Sequence, residues 1–127
     1  MVMAHEVDPA EDLLNKLGDV SDFELFHNQV LCAVYIRPQQ TKSGLFLADS
    51  TREEDKSQGK VGLIVKIGSD AFDDPNGKWF RDTDLGLNDW VFYRASDGWP
   101  VTVNGTLCRI LDDTDVRGRI KHPDQVW

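Results

Sequence analysis

The sequence predicts an all-β fold, a small antiparallel barrel or sandwich, from three observations. Its 127 residues fit one domain, and 40% of them are hydrophobic, which suffices for a core. Short runs of β-branched and aromatic residues alternate with turn residues, a pattern typical of such folds. Asn104-Gly105 stands between two of these runs and is a strong hairpin signal.

A short helix is predicted before the strands, within an N-terminal extension of residues 1–25. Asp8-Pro9-Ala10-Glu11 fits a capping box, with proline at the first helical position and an acidic residue three after the cap. Gly18 is expected to end the helix. The apolar face of the helix consists of Leu13, Leu14 and Leu17.

Five strands are predicted within a domain that spans residues 26–120. Arg37-Pro38 ends the first strand and Gly68 ends the second. Residues 121–127 are assigned to a C-terminal tail. The predicted strands cover residues 30–36, 61–67, 90–93, 99–103 and 106–111.

Two connections, residues 41–59 and 68–89, are too long to be simple turns. The second contains the turn cluster Asp73-Asp74-Pro75-Asn76-Gly77. Loops of this length in a small domain usually carry function or are disordered. We therefore look for the functional residues in these two segments.

The first long loop contains a small apolar island, Gly44-Leu45-Phe46-Leu47. Residues 48–60 after it are polar and charged and contain no large apolar side chain, so this part is expected to be mobile. Two interpretations stay open. The island is either a short strand packed on the domain or a linear motif that docks in the groove of a partner.

The energetics of the island favour presentation in several copies. Burying three large apolar side chains contributes about 5–8 kcal/mol in total. Ordering roughly five to eight residues costs about 1–2 kcal/mol for each residue. Because the two terms nearly cancel, one loop binds weakly, and useful affinity requires several loops on one symmetric oligomer.

Composition excludes several functional classes. The formal net charge of −8 argues against binding to nucleic acid or to an anionic membrane. No apolar run approaches the roughly 20 residues of a membrane span. The acidic N-terminus does not resemble a signal peptide, so a cytoplasmic location is expected.

Neither a metal site nor a catalytic site is predicted. His5, His27 and His122 are scattered along the chain and show no metal-ligand spacing. Cys32 and Cys108 are typical of buried small hydrophobic residues, and the sequence leaves open whether they pair. The acidic clusters occur in turn contexts, where aspartate is favoured for local hydrogen bonds. These clusters are Asp73-Asp74, Asp112-Asp113 and Asp115.

Several segments follow one another in a characteristic order and spacing. They include Thr41-Lys42-Ser43-Gly44-Leu45-Phe46-Leu47 and His27-Asn28-Gln29-Val30, with residues 59–68, 87–91, 97–111 and 112–116. Together they resemble the GroES-type co-chaperonin family over residues 26–120. The first segment is similar to the mobile-loop motif of that family and the second to its opening strand.

The resemblance implies a small irregular β-barrel whose seven copies form a dome-shaped ring on a GroEL-type chaperonin. Gly44, Leu45, Phe46 and Leu47 would hold the chaperonin-binding positions, and ATP would be bound by the chaperonin, so no cofactor of this chain is expected. The loop 68–89 would form a roof hairpin. Strands of neighbouring subunits would pair, near Val30 on one subunit and Val116 on the next.

The chain also departs from the family pattern. It has the N-terminal extension, the extra tail, and the aromatic Phe46 where an aliphatic residue is usual. A divergent, bacteriophage-encoded member is one hypothesis for these departures. An alternative function is that of a virion structural or other assembly protein that reuses the same barrel without binding a chaperonin.

Overall fold

The computed structural model of the protein describes residue 5 and residues 7–37, 60–73 and 84–126. Six strands and one helix form in this part of the chain, with short 3₁₀ turns at Asp113–Asp115 and Pro123–Gln125. That helix is not long enough to cross a membrane. The helix and strands are α1 (Pro9–Leu17), β1 (Gln29–Val34), β2 (Val61–Ile67), β3 (Trp90–Phe92), β4 (Trp99–Val103), β5 (Thr106–Asp112) and β6 (Gly118–Ile120).

The strands make one antiparallel sheet in the order β4-β5-β1-β2-β3-β6, which confirms the all-β prediction. Strand β1 pairs with β2 at one edge and with β5 at the other. The expectation that the strand near Val30 pairs with a neighbouring subunit is therefore wrong, because both edges of that strand are already used. Among the described residues, the outer strands of the sheet are β4 and β6.

Both faces of the central strands are buried, which explains why β1 is an almost continuous apolar run. Leu31 and Ala33 of β1 belong to a hydrophobic cluster on one face of the sheet. Val30 and Cys32 belong to a second hydrophobic cluster on the other face. The first cluster also contains Leu13, Leu17, Leu63, Val65, Trp90 and Ile110. The second contains Ile64, Val91, Tyr93 and Leu111.

The two cysteines are buried and free. Cys32 belongs to one cluster and Cys108 to the other, so their side chains leave the sheet on opposite faces and do not pair. Burial raises the pKa of Cys32 strongly and that of Cys108 to about 11. Both thiols are therefore protonated and unreactive at neutral pH.

Helix α1 forms with the predicted caps. Asp8 Oδ2 accepts from the N–H of Glu11 at 3.3 Å, and the N–H of Gly18 donates to the carbonyl of Leu14 at 3.0 Å. Leu13 and Leu17 are buried against the sheet. The extension thus packs on its own domain through these two leucines.

The predicted hairpin turn joins β4 to β5. Asn104 and Gly105 both have positive φ, +51° and +78°, as a type I′ turn requires. The side chain of Asn104 also reaches the end of α1, where Nδ2 donates to the carbonyls of Leu17 at 2.9 Å and Asp19 at 3.2 Å. One turn residue therefore shapes the hairpin and holds the helix.

Candidate functional site at the roots of the first long loop

The predicted binding residues Gly44, Leu45, Phe46 and Leu47 lie outside the described residues, as does the rest of the segment 38–59. Their role stays a prediction. The described part of this candidate site is the pair of chain segments from which the loop departs, Tyr35–Arg37 and Lys60–Val61, called here the loop roots.

The loop roots are neighbours because they continue the antiparallel pair β1–β2. Val34 lies opposite Gly62 in the ladder. Beyond that pair, the N–H of Tyr35 donates to the carbonyl of Val61 at 2.9 Å. The segment between the roots therefore begins and ends at one corner of the sheet.

Tyr93, which follows β3, holds the second root in place. Its N–H donates to the carbonyl of Lys60 at 2.9 Å, and its hydroxyl donates to the carbonyl of Val61 at 3.5 Å. The phenol is buried, and this burial raises its pKa far above the usual value, so the group stays a neutral donor. The guanidinium carbon of Arg109 lies 5.9 Å from the centre of the ring.

The corner is also closely packed at Gly62. A Cβ at this position would lie 2.9 Å from Cys32 Cβ, 3.1 Å from the carbonyl oxygen of Ala33 and 3.2 Å from the Tyr93 hydroxyl. Strand β1 and the Tyr93 side chain approach the backbone of Gly62 so closely that a larger side chain would not fit there.

Both terminal segments of the chain reach the first root. The hydroxyl of Tyr35 donates to Asp124 Oδ1, and His5 Nε2 lies 3.3 Å from the same hydroxyl. His5 Nε2 is 3.0 Å from Asp124 Oδ2, and His122 Nδ1 is 3.7 Å from that oxygen. The sequence predicted no relation among these residues, because His5 and Asp124 are separated by 119 positions.

The second long loop, residues 68–89, has roots of its own, and its predicted tip at Asn76-Gly77 lies outside the described residues. Asp113 is buried and accepts from the side chain of Asn28 and from the N–H of Phe72, both at 3.0 Å. Arg119 Nη1 lies 2.8 Å from a carboxylate oxygen of Asp84 at the other root. The hydrogen bond from Arg119 lowers the pKa of Asp84.

The aspartates at the end of β5 and just after it hold the 3₁₀ turn and one root of the second long loop. Asp112 and Asp115 form a reciprocal capping box around the 3₁₀ turn, and Asp113 binds the loop root described above. The contacts of Asp112 and Asp115 agree with the prediction that the clustered carboxylates serve turns, whereas those of Asp113 are long-range. Asp113 was not singled out among them by the sequence, because its partners Asn28 and Phe72 lie 85 and 41 positions away.

Comparison with known proteins adds one match. Residues 22–120 match the family described as the chaperonin 10 kDa subunit. A search among curated proteins found no match. The matched range contains both loop roots and the apolar island at positions 44–47.

Proposed function

Because the chain belongs to the chaperonin 10 kDa subunit family, we propose that it is a co-chaperonin that forms a heptameric, ring-shaped lid on a GroEL-type chaperonin. The lid assists ATP-dependent protein folding, with the nucleotide bound by the chaperonin. The family is one of non-enzymatic chaperones that partner with such rings and act as oligomers. The proposal keeps the cytoplasmic location expected from the sequence.

The observation that carries the proposal is the extent of the family match. It runs through residues 22–120 and so includes the loop together with the strands from which it departs. A loop whose two roots are hydrogen-bonded at one corner of the sheet suits the task, since its apolar residues could reach a partner while its ends are held. In the proposed complex, Leu45, Phe46 and Leu47 enter an apolar groove of the chaperonin and Gly44 allows the chain to turn.

The energetics explain why the ring is part of the proposal. A single loop gains about as much free energy from burying its three apolar side chains as it loses in backbone ordering. Seven loops on one ring raise the effective concentration of each further loop once the first is bound. Binding should therefore depend steeply on the intact ring.

The test is binding to a GroEL-type chaperonin in the presence of ATP, followed by size-exclusion chromatography and native mass measurement. We expect the wild-type chain to elute with the chaperonin and the triple variant L45S/F46S/L47S to elute alone. A matched control places three serines in the same loop outside the island, as R52S/E53S/E54S, and should bind like wild type. Failure of wild type to bind, or binding by the island variant, would overturn the proposal.

The alternative, a structural or assembly protein of a virion, was suggested by the additional terminal segments. In this structure those segments pack on their own domain: Leu13 and Leu17 are buried in its core, and Val126 packs against the same cluster. The terminal segments thus stabilise their own domain, and their presence does not by itself indicate a role in a virion. Detection of the protein in purified particles, without a free ring in solution, would favour this alternative.

A further inference from the structure

The two terminal segments and the first loop root meet in a cluster of ligand-type side chains. We propose that His5, His122 and Asp124 form a binding site for a divalent transition-metal ion, Zn²⁺ being the ion that the donor set fits best. One ligand atom from each of the three residues lies within 4.8 Å of the other two. Two imidazoles and one carboxylate are a ligand set that Zn²⁺ accepts in proteins.

The distances between the donors suit a shared ion. In a tetrahedral site with bonds of about 2.0 Å, two donor atoms lie about 3.3 Å apart. Asp124 Oδ2 is 3.0 Å from His5 Nε2 and 3.7 Å from His122 Nδ1, values that bracket this separation. The donor atoms of the two histidines lie within 4.8 Å of each other. Side-chain rotations that draw the two histidines together would bring all three donors around one ion, with water as a further ligand.

The carboxylate is already oriented for this role. The hydroxyl of Tyr35 donates to Asp124 Oδ1, which fixes one oxygen and directs Oδ2 toward the two histidines. Such hydrogen bonds to the outer oxygen of a ligand commonly hold metal sites in shape. Tyr35 is itself fixed by its N–H bond to Val61 and by an edge contact with Trp90 at 5.8 Å between ring centres.

Side-chain exposure increases across the cluster from Asp124 to His5 to His122, which leaves an ion a path from solvent to the carboxylate. The Asp124 side chain is 6% exposed and that of His5 is 16% exposed, whereas His122 is 46% exposed. The ion would enter from the side of His122 and reach the buried carboxylate. A desolvated carboxylate beside two imidazoles gains more from a cation than an exposed one does.

Binding would exchange existing contacts for metal bonds. His122 Nδ1 now accepts from the N–H of Asp124 at 3.2 Å, and a proton joins His5 Nε2 to Asp124 Oδ2. On binding, the proton of His5 moves through solvent from Nε2 to Nδ1, which frees the Nε2 lone pair for the ion. The His122 ring rotates so that Nδ1 faces the ion instead of the N–H of Asp124. The competing interpretation is a hydrogen-bonded cluster that only fixes the termini.

The experiment is titration of the full chain, without a polyhistidine tag, with Zn²⁺ by calorimetry and with Co²⁺ by visible absorption. We expect one ion per chain and the intense absorption of tetrahedral Co²⁺. His5→Gln and His122→Gln should each weaken Zn²⁺ binding by at least about tenfold. Tyr35→Phe removes the hydroxyl that donates to Asp124 Oδ1 and lies 3.3 Å from His5 Nε2, and it should weaken Zn²⁺ binding by about 10–100-fold while the number of bound ions stays the same.

The remaining histidine gives a matched control. His27 is exposed, is not a member of the cluster and has a φ of +60°, a conformation that asparagine tolerates. His27→Asn should bind Zn²⁺ like wild type. Circular dichroism of each variant checks that it is folded, and no chaperonin is needed, so the outcome is independent of the proposed function.

Three results would overturn the metal site. One is the absence of saturable binding of one Zn²⁺ per chain. A second is binding that falls equally in His5→Gln, His122→Gln and His27→Asn, which would indicate nonspecific histidine binding. Retained binding in the folded His5→Gln and His122→Gln variants would equally leave the hydrogen-bonded cluster as the correct interpretation.

Discussion

The N–H of Tyr35 donates to the carbonyl of Val61 at 2.9 Å, and this bond lies where the first long loop leaves the sheet. The same tyrosine directs its hydroxyl to Asp124, near the C-terminus. One side chain and its backbone thus join the sheet, the loop root and the tail.

Gly62 offers the sharpest test of the packed corner. Gly62→Ala places a Cβ within 2.9–3.2 Å of Cys32, Ala33 and Tyr93, so we expect a loss of about 1–3 kcal/mol in the free energy of unfolding. Gly86→Ala is the matched control, because nothing lies within 4 Å of the added Cβ. Guanidinium denaturation at one protein concentration measures both, and equal stabilities would contradict the close packing.

Among Asp112, Asp113 and Asp115, substitution of Asp113 should cost the most free energy of unfolding. Asp113→Ala leaves Asn28 Nδ2 and the N–H of Phe72 without their acceptor, at a cost of about 1–3 kcal/mol. Asp113→Asn keeps one acceptor oxygen and should cost less. Asp73→Ala, which removes an exposed carboxylate from the same loop root, is the control. A neutral Asp113→Ala would show that the root is held by other contacts.

The parts of the fold that could be predicted are those marked by a pattern of neighbouring residues in the sequence. Strand β2 was predicted with its observed bounds because Val61–Ile67 is an apolar run that ends at a glycine. Gly68 is there because a Cβ would lie 2.4 Å from the carbonyl oxygen of His27. Strand β6, by contrast, has only three residues, one exposed and two half-buried, which is too little pattern to detect.

The candidate sites divide in the same way. The apolar island at 44–47 was visible as a local contrast with the charged residues after it, although it lies outside the described residues. The cluster of His5, His122 and Asp124 had no such signal, because only the folded chain brings its members together. The central position of Val30 was also unpredictable, since it depends on which strands pair with β1.

Asn104 should be important for α1 as well as for its own turn. Asn104→Gly keeps the positive φ but removes the bonds to Leu17 and Asp19, so we expect a loss of about 0.5–1.5 kcal/mol. Asn104→Ala adds strain of about 1–3 kcal/mol at φ +51°. Hydrogen exchange should show faster opening of α1 amides in both variants. Unchanged exchange in Asn104→Gly would contradict the link between hairpin and helix.

Asp97 should contribute to the pH dependence of stability. The hydrogen bond from the Arg94 side chain lowers the pKa of this buried carboxylate, and Arg117 Nε at 3.7 Å acts in the same direction. Because the folded pKa lies below the unfolded one, the stabilisation is present above the unfolded value and is lost as the pH falls through the folded one.

The expected result for Asp97→Asn is therefore a lower stability at pH 7 and a difference from wild type that shrinks in acid. Thermal unfolding at a series of pH values measures it. Asp22→Asn, at an exposed carboxylate, is the control and should follow wild type throughout. A difference between Asp97→Asn and wild type that stays constant down to low pH would assign the loss to packing and not to charge.

Assembly of the proposed ring should strengthen with salt. Each chain carries a net charge of −8, so seven chains repel one another at low ionic strength. The screening length falls from about 10 Å at 0.1 M salt to about 3 Å at 1 M, which weakens this repulsion while apolar contacts between subunits persist. Sedimentation at both ionic strengths should show more assembled ring in high salt. A ring that dissociates as salt is raised would mean that ion pairs between subunits hold it together.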